Sequence, residues 1–149
     1  MPIAAYAQNQ IDSVLVRKSE RKMYLLKEGN VVKEYKISLG ANPKGHKEKE
    51  GDERTPEGSY TLDYKKKDSA FYRAIHISYP NAKDIENAKK KKVNPGGQIM
   101  IHGQKNGYEK FALLTQKFNW TDGCIAVTNK EMEEIWNLVK VNTPIRIEK

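Results

Sequence analysis

Residues 120–139, WTDGCIAVTNKEMEEIWNLV, contain a switch from strand-like to helical patterning, and the fold can be read outward from it. The run 124–127 is short, apolar and uninterrupted, the pattern of a buried strand. It stops at Thr128, which can cap a helix, and Glu131 three residues later completes a capping box. Val127 and Met132 stand where a hydrophobic staple would fall. Met132, Ile135, Trp136 and Val139 then recur at helical spacing and predict one stripe facing the core, Trp136 included. Asn142, Thr143 and Pro144 end that helix, and residues 145–148 predict a closing strand.

Upstream, residues 11–17, 22–27 and 31–39 are rich in β-branched and aromatic residues and predict strands. The last two are joined by the short Gly-containing loop 28–30. Pro43, Gly45, Gly51 and Pro56 make residues 40–58 a loop. Strands follow at 58–64 and 71–79, then a helix at 82–92 with Ile85 and Ala88 inward. After a turn at 94–97, residues 98–101 predict a short apolar strand that delivers His102. Residues 111–114 fit a strand or a helical turn equally. Strands dominate with two or so helices, so the fold class is mainly β, a sandwich or barrel-like domain with appended helices. A chain of 149 residues fits one core, and residues 11–149 are expected to form one domain. Residues 1–10 read as a flexible tail or the remnant of a secretory signal, since Ala5-Tyr6-Ala7 before Gln8 fits a small-x-small cleavage pattern.

The formal net charge is +8, which favours an anionic partner. Lys65–Lys67 and Lys89–Lys92 are short runs without interleaved aromatics, and no nucleic-acid-binding signature accompanies them. They read as a solvated basic face or as affinity for an anionic polymer, not as a nucleic-acid site. No apolar run approaches the roughly 20 residues of a membrane span. One cysteine and three scattered histidines show no metal-ligand spacing, so no metal is expected.

The single cysteine excludes an intramolecular disulfide. Cys124 follows a glycine at the start of one apolar segment, and His102 lies at the exit of another. A thiol with a pKa of about 8.5 is largely protonated at neutral pH, and an adjacent imidazole can take its proton. Gly123 permits close approach of a substrate. The N–H groups of Gly123 and Cys124 could face a developing oxyanion, a contribution of roughly 3 kcal/mol in comparable sites. Two adjacent antiparallel strands would bring the two residues together.

His102-Gly103, followed about twenty residues later by Thr121-x-Gly123-Cys124, resembles the signature of YkuD-type L,D-transpeptidases. Thr55-Pro56-Glu57-Gly58-Ser59-Tyr60 resembles that family's Thr-Pro-x-Gly-x-Tyr/Phe segment. Gly51-Asp52-Glu53-Arg54, His76-Ile77-Ser78-Tyr79-Pro80 and Gly123-Cys124-Ile125-Ala126-Val127 are most similar to its YafK/ErfK-like branch. The resemblance spans residues 11–147 and implies an exported bacterial cell-wall enzyme of the periplasm or cell envelope. It implies that Cys124 forms a thioester with a peptidoglycan stem peptide at the meso-diaminopimelate carbonyl, with His102 as base and then acid. An amine, from another stem or a lipoprotein, would receive the acyl group. Gly103 would orient the imidazole through its main-chain carbonyl, and no cofactor is implied.

Hydrolysis of peptidoglycan–lipoprotein or L,D cross-links is the alternative within the family, and a non-catalytic wall-binding module the alternative outside it. A monomer is expected. Two positions depart from the pattern: Asp122 replaces the usual histidine and Ala126 an arginine often found there. Asp122 is expected to point away from the sulfur, toward backbone or a substrate amine. Arg54, His76, Tyr79, Trp120 and Thr121 are further candidates for substrate contact. His46, in a Lys/Glu-rich loop, is expected to be solvent-exposed.

Overall fold

The computed structural model describes residues 11–149, and the tail or signal remnant expected at residues 1–10 lies outside the described residues. β1 (Ser13–Arg17) pairs antiparallel with β2 (Lys22–Lys27), which pairs antiparallel with β3 (Asn30–Lys36). Glu28 and Gly29 turn that hairpin with φ of 51° and 81°, the left-handed pair that a two-residue turn requires. β4 (Gly58–Ser69) and β5 (Tyr72–Ile77) form a second hairpin. β6 (Met100–His102), β7 (Ile125–Ala126) and β8 (Thr143–Glu148) complete one eight-stranded sheet in the order β3-β2-β1-β8-β4-β5-β6-β7. The expected strand at 31–39 leaves β2 after Lys36 and crosses to the far edge. There Ser38 and Ala126 exchange two backbone hydrogen bonds of 2.9 Å, which curls the sheet into the barrel-like form.

β6 and β7 run parallel, in contrast to the expected antiparallel pair. The connection between them, residues 103–124, is long enough for a crossover, which a parallel pair requires. It contains a 3₁₀ turn (Glu109–Phe111) and the short helix α2 (Ala112–Thr115), so the ambiguous segment is helical.

Helix α3 (Asn129–Leu138) starts as the sequence predicts. Glu131 N–H donates to Thr128 Oγ1 at 3.2 Å, and Thr128 N–H donates to Glu131 Oε1 at 3.0 Å. Met132, Ile135 and Val139 are buried, but Trp136 lies at the edge of the core. Lys65 and Arg73 sit over its ring at 5.1 and 5.2 Å, and such stacking suits a half-exposed indole. Helix α1 (Ala82–Lys91) turns a different face inward than expected: Ile85 is exposed, while Ala88 and Asp84 are buried. Asp84 caps the helix through Asn81 N–H and accepts from Tyr60 Oη at 2.7 Å, so a satisfied carboxylate displaces the isoleucine.

Ile75, Ile101 and Ile125 lie in register across β5, β6 and β7 and are fully buried. Burying each side chain contributes about 1.5–3 kcal/mol. Strand alternation then sends the intervening residues to the opposite face, and His76, Met100, His102 and Cys124 fall there together.

Candidate active site

The parallel register Ile101↔Ile125 and His102↔Ala126 places Cys124 beside Met100, one step of the alternation from His102. Diagonal neighbours across adjacent strands lie roughly 7–8 Å apart at Cα, within reach of long side chains. Met100 N–H donates to Cys124 Sγ at 3.4 Å, and Sγ–H donates to the Gln98 carbonyl at 3.4 Å. Among the described residues the sulfur makes no hydrogen bond to the imidazole. Cys124 is partly exposed. Burial pushes its thiol pKa up, the Met100 N–H opposes this, and the Asp122 charge adds to the rise.

His102 is 4 % exposed. Its Nδ1 lies 2.7 Å from the Gly103 carbonyl, which only accepts, so Nδ1 carries the proton and Nε2 keeps a lone pair. Burial lowers the ring's pKa from 6.5 to about 4 against the opposing pull of that carbonyl, so the imidazole is neutral at neutral pH. Phe71 stacks on it with ring centroids 4.4 Å apart, and Trp120 lies 5.8 Å away. Trp120 Nε1 is buried without a partner among the described residues.

The turn before the sulfur is shaped by residues of three segments. Gly123 has φ 132°, a conformation suited to glycine, and a Cβ there would lie 2.6 Å from the Arg54 carbonyl oxygen. Thr121 Oγ1 donates to the Cys124 carbonyl at 2.7 Å and accepts from Gly123 N–H at 3.1 Å. Thr121, expected to meet substrate, is therefore an internal brace with its one hydroxyl proton spent. Gly123 N–H is likewise committed, so the expected pair of oxyanion donors differs: the Cys124 N–H is the one without a partner among the described residues.

Thr55 stands in the sequence as part of the Thr-Pro motif, with no sign of its own role. It is fully buried, its Oγ1 donates to the Gly123 carbonyl at 2.8 Å, and it accepts from Gly40 N–H at 3.2 Å. Lys47, also missed, is buried against Asp52 at 2.9 Å, and its charge lowers the thiol pKa slightly. A threonine or lysine in a polar loop gives no pattern that announces burial, so only the Thr-Pro motif offered a signal.

The remaining candidates divide. His76 shares a register position with Met100, its Nδ1 lies 2.7 Å from Asp63 Oδ1, and its ring stacks on Tyr64 at 4.4 Å. Asp122 is exposed and has no hydrogen bond among the described residues. Tyr79, expected in the cleft wall, is 2 % exposed and donates to the Pro95 carbonyl at 2.8 Å, so it supports a loop instead. The Arg54 carbonyl abuts Gly123, but its guanidinium turns toward Gly45. His46 is only partly exposed: Nδ1 accepts from Glu57 N–H and Nε2–H donates to Asp84, both at 2.8 Å. It ties the loop to α1 rather than facing solvent.

Residues 11–147 match the model of the YkuD family, the L,D-transpeptidase catalytic domain. YafK of Escherichia coli, whose own L,D-transpeptidase name is provisional, is 33 % identical over 107 residues. That alignment covers 70 % of this chain and 36 % of YafK, so the chain spans about a third of the curated relative's length. The helical cell shape determining protein Pgp2 from Campylobacter jejuni superimposes with a TM-score of 0.67 at 26 % identity, over 93 % of this chain and 49 % of its own. The L,D-transpeptidase from Mycobacterium smegmatis shares the fold with a TM-score of 0.60 at 14 % identity, over 91 % of this chain and 58 % of its own.

Proposed function

Because the chain belongs to the YkuD family of L,D-transpeptidase catalytic domains, we propose that Cys124 forms a thioester with a peptidoglycan stem peptide and passes the acyl group to an amine. One observation carries this reading: the 2.7 Å bond from His102 Nδ1 to the Gly103 carbonyl leaves the Nε2 lone pair without a partner among the described residues, on the sheet face that bears Cys124.

Sγ attacks the meso-diaminopimelate carbonyl while its proton passes to His102 Nε2. His102 then returns that proton to the departing D-alanine amine. The acceptor amine loses a proton to the same nitrogen, attacks the thioester and releases the thiol. The Cys124 N–H stabilises the oxyanion, assisted by Gly123 N–H where it loosens from Thr121. A raised thiol and a lowered imidazole mean that the resting pair is neutral. Proton transfer therefore accompanies attack instead of preceding it, and the Cys124 side chain swings from the Gln98 carbonyl toward the ring. Arg54 braces Gly123 through its backbone, while Asp122 at the rim attracts a cationic amine of donor or acceptor. The site suits an enzyme exported to the periplasm or cell envelope and acting as a monomer, with a lipoprotein lysine among the eligible acceptors.

Intact-mass measurement of the reduced protein with tetrapeptide muropeptides, followed by product analysis, tests the reading. An adduct lost in Cys124→Ala, with cross-linked dimers, supports acyl transfer. Tripeptides and released partners would identify hydrolysis through the same thioester. A folded sample that forms no adduct with muropeptide or with a carbapenem would leave only a wall-binding role.

A further inference from the structure

We propose that a cavity beside the β1–β2 turn binds a carboxylate-bearing arm of the wall polymer, a subsite separate from the thiol; this deepens the function proposed above. The cavity holds about 800 Å³, within the range of ligand sites, and is lined by the 18–21 turn, residues 43–45, Glu57 and Asn119. Its side chains are mainly cationic, with Lys18, Arg21, Lys44 and Lys149 set against the single carboxylate of Glu57. Glu57 contributes a carboxylate, and that group faces Lys18 Nζ at 3.2 Å. Lys18 Nζ also donates to the carbonyls of Gly45 at 2.8 Å and Thr55 at 2.7 Å, which fixes the floor, while Glu57 Oε2 meets it as an ion pair without a hydrogen bond.

Arg21 and Lys44 on the walls have no carboxylate partner among the described residues. The Arg21 guanidinium gives one long hydrogen bond, to the Lys117 carbonyl at 3.3 Å. Behind Gly45 lies a further cation: Arg54 Nη1 is 3.1 Å from where a Gly45 Cβ would stand, and Arg54 Nε is buried without a partner among the described residues. A concave site with uncompensated cations of one sign concentrates an oxyanion, and a guanidinium fork suits a carboxylate.

Two residues just behind the cavity connect it to the thiol site. Asn119 precedes Trp120, whose ring is 5.8 Å from His102, and Arg54, which backs the cavity, abuts Gly123 through its carbonyl. A polymer carrying repeated acidic peptides could anchor one carboxylate here while a neighbouring carbonyl reaches Cys124.

The test uses the full chain with Cys124→Ala, isotope-labelled for amide NMR. The probes are a tetrapeptide stem with free carboxylates, the same peptide amidated, and glycerol 3-phosphate in place of a phosphate-bearing wall polymer. The free peptide is expected to move the amides of Ser19, Gly45 and Asn119. Amidation, or the double change Arg21→Gln and Lys44→Gln, should weaken binding roughly fivefold, as the loss of two exposed charge contacts implies. Shifts confined to the neighbours of Cys124, unchanged affinity in the folded double variant, or a response to glycerol 3-phosphate alone would overturn the assignment. Thioester formation by the wild-type protein is scored separately, so the cavity can fail while the reaction stands, and the reverse.

Discussion

Lowering the pH from 7 to 4 should destabilise the native protein through His102. Burial holds the folded ring at a pKa of about 4, whereas the exposed ring of the unfolded chain titrates near 6.5. Between those values the unfolded state binds a proton that the folded state refuses. The stabilisation is complete above pH 6.5 and fades as the pH falls toward 4. The gap of about 2.5 in pKa, at 1.36 kcal/mol per unit, is worth about 3 kcal/mol. Asp52 does not confound this window. Burial pushes its carboxyl up, but the N–H groups of Glu48, Lys49 and Arg54 and the Lys47 ammonium together draw it down to about 2, so its contribution is lost mainly below pH 4. Urea denaturation of wild type and His102→Gln at intervals from pH 7.5 to 4 isolates the effect, because the variant keeps every other titrating group. The wild-type curve should fall toward the variant's by about 3 kcal/mol. Parallel curves would refute the buried neutral imidazole.

Thr55→Val strands the Gly123 carbonyl and the Gly40 N–H, which should cost about 2 kcal/mol or more by denaturation and slow alkylation of Cys124, with Thr55→Ser restoring both. Without substrate, iodoacetamide should alkylate Cys124 with a midpoint above the ordinary thiol value of about 8.5, whereas a midpoint near 6 would reveal a standing thiolate–imidazolium pair. Gly123→Ala meets the Arg54 carbonyl at φ 132° and should lower stability by roughly 2 kcal/mol or more, read as a drop in Tm. Thr128→Ala opens the capping box of α3 and should remove about 1 kcal/mol while leaving thioester formation per folded molecule unchanged.

The elements that the sequence announced are those whose local chemistry is self-sufficient. The Thr128–Glu131 box, the 28–30 turn and the apolar segment before His102 each carry their own signal; the box lies where the pattern put it, the turn tightens to Glu28-Gly29, and the strand expected at 98–101 runs from Met100 to His102. What stayed hidden depends on long-range partners. Ile85 could be told from Asp84 only once Tyr60 and His46 were known to meet that carboxylate. The parallel sense of β6 and β7 has no local signature, since two or three apolar residues pair either way. At the candidate site the Cys124 and His102 segments were legible from their glycines and flanking strands. The fate of Tyr79 and Thr121 was not, because one hydroxyl among many gives no hint that its proton is already taken.

The middle of the sheet is filled by β8, which is described last along the chain and lies between β1 and β4. Val14 pairs with Ile145, so the halves of the sheet join only when segments separated by most of the sequence meet. Contacts of such range form slowly and late in folding. The one curled sheet whose far edge carries Cys124 and His102 is therefore joined to the β1–β3 half only once β8 is seated between β1 and β4.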